Sequence, residues 1–195
     1  MIQAIENRRS IRKYSGDDVP REQIEQIIRA GMLAPSSKNR QPWKFVVATG
    51  DAKEDMLATM RRGLDRERVE PLLPESAAYL SGAKHTWAIM KQTPVVILIV
   101  NPLSLSMDCA LSAEERIYEI CNAQSVGAAI ENMTLTAAEL GLGSLWICDT
   151  FFAQRELNEW LGVEGELMAA LAVGIAAEAP PARPRKKMED VVEWR

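Results

Sequence analysis

Residues 126–148 read VGAAIENMTLTAAELGLGSLWIC, and two different hydrophobic patterns follow one another within this stretch. In its first part, apolar residues recur at alternating spacings of four and three, which predicts a helix with one apolar face. Those residues are Val126, Ile130, Met133, Ala137 and Leu140. The glycines of residues 141–143 end this helix, and residues 144–148 (Ser-Leu-Trp-Ile-Cys) predict a strand.

The predicted helix is apolar over more of its circumference than one amphipathic face requires, because Ala128, Ala129 and Leu135 widen the surface. Ser112 followed by Glu115 forms a capping-box pattern that marks its start. We therefore expect a central helix with one side on a sheet. Its other side would face either a partner subunit or the interior of its own chain, and periodicity leaves both open.

Further elements surround this unit. Residues 20–33 predict a helix between two prolines, and Asp51 with Glu54 forms a capping-box pattern for a second one. Residues 44–49, 95–100 and 169–176 predict strands, of which the first two look buried because their apolar runs do not alternate. Leu157, Trp160 and Leu161 mark a short helix ending at Gly162. Helices alternating with strands indicate a layered α/β or α+β domain, and we expect one domain over residues 1–195.

Composition excludes several classes of protein. The chain is 47% hydrophobic and 26% charged with a net charge of -4, which is ordinary for a globular protein and gives no overall attraction for polyanions. The longest wholly apolar run, residues 95–100, is too short to cross a bilayer, and no secretory signal is evident, so we expect a cytoplasmic protein. One histidine and three cysteines argue against a metal site, a disulfide framework and a hydrolase triad.

A basic cluster lies near the N-terminus, where residues 8–14 read RRSIRKY. In an extended chain, Arg8, Ser10 and Arg12 would share one side while Arg9 and Ile11 point away. Two guanidinium groups around a hydroxyl form a good receptor for a phosphate dianion. The alternatives are a solvated turn or a nucleic-acid-binding patch. The negative net charge of the chain and the lack of aromatic residues interleaved with the basic ones weaken the nucleic-acid alternative.

Three other segments could carry chemistry. Residues 34–43 (APSSKNRQPW, here loop 34–43) offer hydroxyl, carboxamide and backbone donors between two prolines, suited either to a flat heteroaromatic ligand or to a plain surface turn. Gly141-Leu142-Gly143 lies between a helix and a strand, the reverse of the dinucleotide-binding order, which favours a simple helix end. The basic tail with Arg183, Arg185 and Lys186 is either a solvated appendage or the completion of a phosphate site.

Together, and in this order along the chain, these segments resemble the flavin-dependent nitroreductase family. The matching stretches are residues 8–12, 34–43, 128–146 and 183–192, which cover both ends and the middle of the chain. The resemblance implies a three-layer α+β fold, with a mixed but mainly antiparallel sheet between helices. It also implies a homodimer with swapped terminal segments and FMN at the subunit interface.

The resemblance assigns candidate cofactor-binding residues and no catalytic side chain. The phosphate and ribityl region of FMN would be held by residues from both chain ends, namely Arg8, Arg9, Ser10, Arg12, Arg183, Arg185 and Lys186. The partner subunit would supply residues of loop 34–43 to the flavin, namely Pro35, Ser36, Ser37, Asn39 and Gln41. Backbone groups around Gly143, Ser144 and Leu145 would line the ring.

By the same resemblance, NADH or NADPH would reduce the flavin, which would then reduce a small acceptor such as a nitroaromatic or a quinone in a ping-pong cycle. Reductive dehalogenation, enone reduction or flavin fragmentation on the same fold, and a polyanion-binding module, remain the alternatives.

Two features depart from the family: Gln124-Ser125 stands where Gln-Asp is common, and Asp149 follows Cys148 where a glutamate is common in one branch. Cys148 is interpreted as a buried strand cysteine rather than a redox centre. The segments 63–91 and 101–113 resemble nothing specific, and in this family such insertions cover the substrate face.

Overall fold

Four antiparallel strands form the centre of the protein in a computed structural model that describes residues 2–71, 74–105 and 109–195. Their order across the sheet is β1-β2-β4-β3, and each neighbouring pair runs antiparallel. The strands are β1 (Lys44–Ala48), β2 (Val95–Asn101), β3 (Gly143–Ile147) and β4 (Glu166–Gly174). A parallel bridge between Ser10 and Ser144 adds the mixed character that the resemblance implies.

Helices cover both faces of this sheet, which confirms the three-layer fold. They are α1 (Gln3–Asn7), α2 (Arg21–Met32), α3 (Gly50–Glu67), α4 (Leu80–Gln92), α5 (Ala113–Glu139) and α6 (Gln154–Leu161). Apolar residues of α3, α4 and α6 form one core against the sheet, and those of α2 and α5 form the other. No helix among the described residues has the length and hydrophobicity needed to cross a membrane.

Strand β2 contributes side chains to the cores on both faces of the sheet. Val96, Leu98 and Val100 enter the core beneath α3 and α4, whereas the alternate residues 95, 97 and 99 enter the core beneath α2 and α5. Every residue of β2 is buried, which confirms the prediction made from its unbroken apolar run. The predicted strands at residues 144–148 and 169–176 are also present, as β3 and β4.

Helix α5 begins and ends as predicted. The Ser112 side chain accepts the N–H of Glu115, and the Glu115 carboxylate accepts the N–H of Ser112, which completes the capping box. At the other end, Gly141 adopts a left-handed φ of 74° and the Leu142 N–H donates to the Ala137 carbonyl. The glycine-containing stretch is thus a helix end, not a dinucleotide-binding turn.

The predicted apolar face of α5 is buried inside its own chain. Val126, Ile130, Met133 and Ala137 all lie in the core between α5 and the sheet. This confirms the expected central helix with one side on the sheet, while Ala128 and Leu135 of its wider apolar surface stay partly exposed in the single chain. The exposed apolar residues of α5 lie nearer its start, at Ile117, Tyr118 and Ile120.

Two predictions about the secondary-structure elements are wrong. Strand β1 is only partly buried, because it is an edge strand with a neighbour on one side, and Val47 is 38% exposed. The Asp51–Glu54 capping box does not form: α3 begins already at Gly50, so Thr49, the residue after β1, occupies the cap position without a side-chain hydrogen bond. Asp51 instead lies in the first turn, where its charge favours the helix dipole.

Two helices have no counterpart among the predicted elements. Helix α1 precedes the N-terminal basic cluster, and α4 occupies much of the segment 63–91. The described part of the segment 101–113 contains the end of β2 and the start of α5. Residues 72–73 and 106–108 of these two segments lie outside the described residues.

An ion pair between α3 and α6 makes stability depend on pH. Arg66 contacts Glu156 through two hydrogen bonds of 2.6 and 3.2 Å. Desolvation raises the pKa of Glu156, but the hydrogen bonds and charge of Arg66 outweigh it and hold that pKa below its ordinary value. A depressed folded-state pKa stabilises the protein above the ordinary carboxyl pKa of 4.5, and this stabilisation is lost as the pH falls.

We therefore expect Glu156→Gln to lower the free energy of unfolding by about 1.5 kcal/mol at pH 7. The difference from the wild type should shrink towards zero as the pH falls from 5 to about 3. Urea unfolding across this pH range measures it, with Glu159→Gln, an exposed residue of the same helix, as the control. A Glu156→Gln deficit that is independent of pH would contradict the assignment.

Candidate active site

The two ends of the chain are hydrogen-bonded to each other beside β3. The Ile11 N–H donates to the Ser144 carbonyl at 2.9 Å, which fixes the N-terminal segment to the sheet. The Ala177 N–H then donates to the Lys13 carbonyl at 2.9 Å, and the Ser15 N–H donates to the Ile175 carbonyl at 3.0 Å. The chain leaving β4 is thereby directed past the N-terminal basic cluster.

A cavity of about 200 Å³ forms where these ends meet, and we call it the arginine cavity. It is lined by Arg8, Arg9, Ser10, Arg12, Pro180, Pro181, Ala182, Arg183 and Arg185. Five arginines and a serine hydroxyl thus surround one small space whose lining contains no carboxylate. The start of the basic tail, although exposed to solvent, lies against residues more than 160 positions earlier and forms one side of this cavity.

The guanidinium groups of the arginine cavity keep most of their charge uncompensated. Arg12 donates to the Ser10 carbonyl at 3.0 Å, and Arg9 donates to the Glu6 carbonyl at 2.6 Å. Arg8 lies 3.7 Å from the Glu131 carboxylate, the one ion pair that the described residues show for these five arginines. Clustered arginines with few acidic partners form a good receptor for a phosphate dianion.

The predicted side-chain alternation is correct in part. Arg8, Ser10 and Arg12 line the arginine cavity together, and Ile11 enters the core, as expected. Arg9, predicted to point away, lines the same cavity. Among the tail residues, Arg183 and Arg185 line it, whereas Lys186 does not.

A second cavity of about 400 Å³ adjoins the first, because Arg8, Arg9 and Pro180 line both. Gly143 and Ser144 line this second cavity. A Cβ atom on Gly143 would lie 3.0 Å from the Ile11 side chain, so a glycine here allows the close approach of the N-terminal segment. Leu145, the third predicted residue, has its side chain in the core and can offer only its backbone.

Tyr14 supports the segment that carries the arginines. Its buried hydroxyl donates to the Ile11 carbonyl at 3.0 Å, and its ring packs against Gly174, where a Cβ would lie 2.8 Å away. Burial, with a smaller contribution from the Glu178 charge, raises the pKa of Tyr14 far above its ordinary range. The hydroxyl therefore stays protonated and acts as a structural donor.

Loop 34–43 lies elsewhere in the single chain, against the first half of α5. Lys38, Asn39 and Gln41 have left-handed φ angles of 53°, 53° and 50°. The Ser36 hydroxyl accepts the Gln41 N–H at 3.0 Å, which holds this turn. Pro35, Ser36, Ser37, Asn39 and Gln41 line neither cavity, so the structure of one chain does not bring them to the arginines.

Cys148 is not a buried strand residue. It follows the last residue of β3, and its side chain is exposed. Partial desolvation, together with the neighbouring Asp149 charge, raises the pKa of its thiol. A raised pKa lowers the thiolate fraction at neutral pH, which disfavours a redox role.

Some residues of the site carry no prediction from the sequence. Glu178 accepts the backbone N–H of Arg12, and Pro180 to Ala182 form one wall of the arginine cavity. Ser125 accepts the N–H of Ser37 at 3.3 Å, so its hydroxyl has a defined contact with loop 34–43. The sequence Pro180-Pro181 could have indicated this wall, because two consecutive prolines hold the chain in an extended conformation.

The fold and cavities define a class of protein: a helix-covered antiparallel sheet whose two chain ends build an arginine-lined cavity. The profile of the Nitroreductase family matches residues 5–175. The chain therefore belongs to the nitroreductase family.

Individual relatives agree with this assignment. A Methanothermobacter thermautotrophicus protein described as an NADH dehydrogenase/NAD(P)H nitroreductase is 32% identical over 75% of this chain, which spans 59% of that protein. A BluB-like flavoprotein from Clostridium difficile 630 superimposes with a TM-score of 0.79 at 29% identity, over 99% of this chain and 97% of the other. A Desulfovibrio desulfuricans nitroreductase solved with FMN has a TM-score of 0.72 at 27% identity, over 100% and 96%.

Proposed function

We propose that the protein is an FMN-dependent oxidoreductase that takes electrons from NADH or NADPH and delivers them to a small acceptor. The observation that carries this proposal is the arginine cavity, because five arginines without a lining carboxylate suit the phosphate of FMN. The relative solved with FMN supports the choice of cofactor. The adjoining cavity of about 400 Å³ leaves room for the rest of the molecule.

In this proposal each segment has a separate task. Arg8, Arg9, Ser10 and Arg12 bind the phosphate and ribityl chain together with Arg183 and Arg185, and Lys186 adds positive charge nearby. Backbone groups of residues 143–145 line one side of the ring. Residues Pro35, Ser36, Ser37, Asn39 and Gln41 approach the ring from the partner subunit, because within one chain they lie away from the cavities.

When bound, FMN would supply the redox chemistry of a ping-pong cycle between NAD(P)H and the acceptor. The chain has to hold the ring with one face accessible and to keep positive charge close to the anionic cofactor. No acid–base pair is required of the protein, which fits a site built from arginines, small residues and backbone groups. Nitroaromatics and quinones are the proposed acceptors.

The protein is proposed to work as a homodimer that exchanges its C-terminal segments. Among the described residues, strand β1 is paired on one side only, and beside it lies a groove of about 530 Å³ with apolar residues from α2, β1 and β2. The segment 188–195 exposes Met188, Val191, Val192 and Trp194, the last to 87%. An exposed strand edge and an exposed apolar tail complement each other when two copies exchange them.

Anaerobic reduction tests the proposed function. Purified protein reconstituted with FMN should absorb near 450 nm, and NADH or NADPH should bleach this band without oxygen. Adding a nitroarene or a quinone should then restore it. Protein that shows no absorbance near 450 nm once unbound FMN has been removed would overturn the proposal. A bound flavin that neither nucleotide bleaches would point to other chemistry on the same fold.

A further inference from the structure

Ser125 of α5 fixes the start of loop 34–43. Its hydroxyl donates to the Cys121 carbonyl at 2.7 Å within the helix and accepts the backbone N–H of Ser37 at 3.3 Å. The side chain is only 5% exposed, so water competes little for either contact. A buried hydroxyl that uses both its donor and an acceptor lone pair has a fixed orientation.

Tyr118 contacts the other end of the same turn. The Arg40 guanidinium lies 4.1 Å from the centroid of the Tyr118 ring, and the Lys38 ammonium lies 5.8 Å from it. Tyr118 precedes Ser125 by seven residues, which is two helical turns, so both side chains project from the same face of α5. The loop is thus held at two points about 10 Å apart along one helix.

The backbone between these two points needs such support. Lys38 and Asn39 adopt left-handed φ angles, and so does Gln41 just beyond Arg40. Residues with a Cβ atom disfavour this region, so the turn would relax to other conformations without outside contacts. The same turn carries Asn39 and Gln41, two residues proposed to reach the flavin of the partner subunit.

We propose that Ser125 and Tyr118 are positioning residues of the flavin site, which act by holding loop 34–43 in the shape that meets the ring. This inference rests on the proposed function. Neither side chain lines a cavity of its own chain, and both contact loop 34–43, so we assign their effect on the partner's flavin to the loop. In this proposal the loop contacts the flavin ring and not the phosphate. A change in the loop should therefore weaken the binding of FMN and of riboflavin, which lacks the phosphate, to the same extent.

Equilibrium titrations of the flavin-free protein with FMN and with riboflavin test this proposal. Ser125→Ala should weaken the binding of both ligands by the same factor, about 2- to 10-fold, since one hydrogen bond is lost. Tyr118→Leu should weaken both by about 2- to 5-fold, whereas Tyr118→Phe keeps the ring and should bind like the wild type. The double variant should lose less than the product of the single losses, because both residues hold the same loop.

Thr59→Ala is the control for Ser125→Ala. Thr59 is a buried hydroxyl of α3 that accepts a hydrogen bond from Arg62 at 3.0 Å, and it lines neither cavity. We expect Thr59→Ala to retain wild-type flavin affinity and the visible circular dichroism of the bound flavin, while Ser125→Ala changes both. Equal flavin affinity in the two variants would overturn the proposal. A wild type that binds no FMN would instead overturn the proposed function, and the positioning role with it.

Discussion

Replacing Arg12 and Arg185 together by glutamine should weaken FMN binding by at least about 100-fold. Each arginine lines the cavity from a different end of the chain, so the pair tests the convergence itself. A charge-assisted hydrogen bond to a phosphate contributes about 1.5–3 kcal/mol, or roughly tenfold or more per residue. Fluorescence titration with FMN measures the loss.

The control for this variant removes the same charge elsewhere. Arg29 and Arg68 are exposed and lie outside both cavities, and their double replacement by glutamine should leave the FMN dissociation constant near that of the wild type. The loss in the Arg12/Arg185 variant should also shrink at high salt. Equal affinities in the two double variants would show that the phosphate lies elsewhere.

Replacing Val191 and Trp194 by serine should raise the dissociation constant of the dimer by about 1000-fold. Both side chains are exposed in the single chain, to 62% and 87%, and are proposed to insert against the partner. Buried apolar anchors of an interface typically contribute about 2 kcal/mol each. Sedimentation velocity over a range of concentrations detects the shift towards monomer.

FMN affinity should fall in the same variant, although its arginines are unchanged, because a monomer lacks the partner's loop 34–43. Val69→Ser removes another exposed apolar side chain, 78% exposed, and should leave the dimer intact. A Val191/Trp194 variant that remains dimeric would refute the exchanged tail. A monomer that binds FMN as tightly as the dimer would refute the shared site.

The layers of the fold could be predicted because their signals are local. The spacing along α5 and the apolar run of β2 each report the same burial that the structure shows. The exposure of β1 could not be predicted in this way, since an edge strand and a central strand can carry similar sequences. Helix α4 has a readable pattern in Leu80, Ala83, Trp87 and Met90, but alanine, glycine and charged residues weaken it.

The candidate site depends on contacts that periodicity cannot reveal. The arginine cavity exists because residues 13–15 pair with residues 175–177 through two backbone hydrogen bonds, which join the two ends of the chain. The sequence indicates which residues are suited to phosphate, and the fold decides that Arg9 joins them and that Lys186 does not. Loop 34–43 differs from the arginine cavity, because its sequence is recognisable but its proposed ligand is the flavin of the partner subunit.

The discrimination between FMN and riboflavin by the wild-type protein tests the central claim most directly. Calorimetric titration of flavin-free protein gives both affinities and the number of sites. Because the two ligands differ only in the phosphate, we predict about 100-fold or tighter binding of FMN, with one flavin per chain. Equal affinities for FMN and riboflavin would contradict a site built around the five arginines.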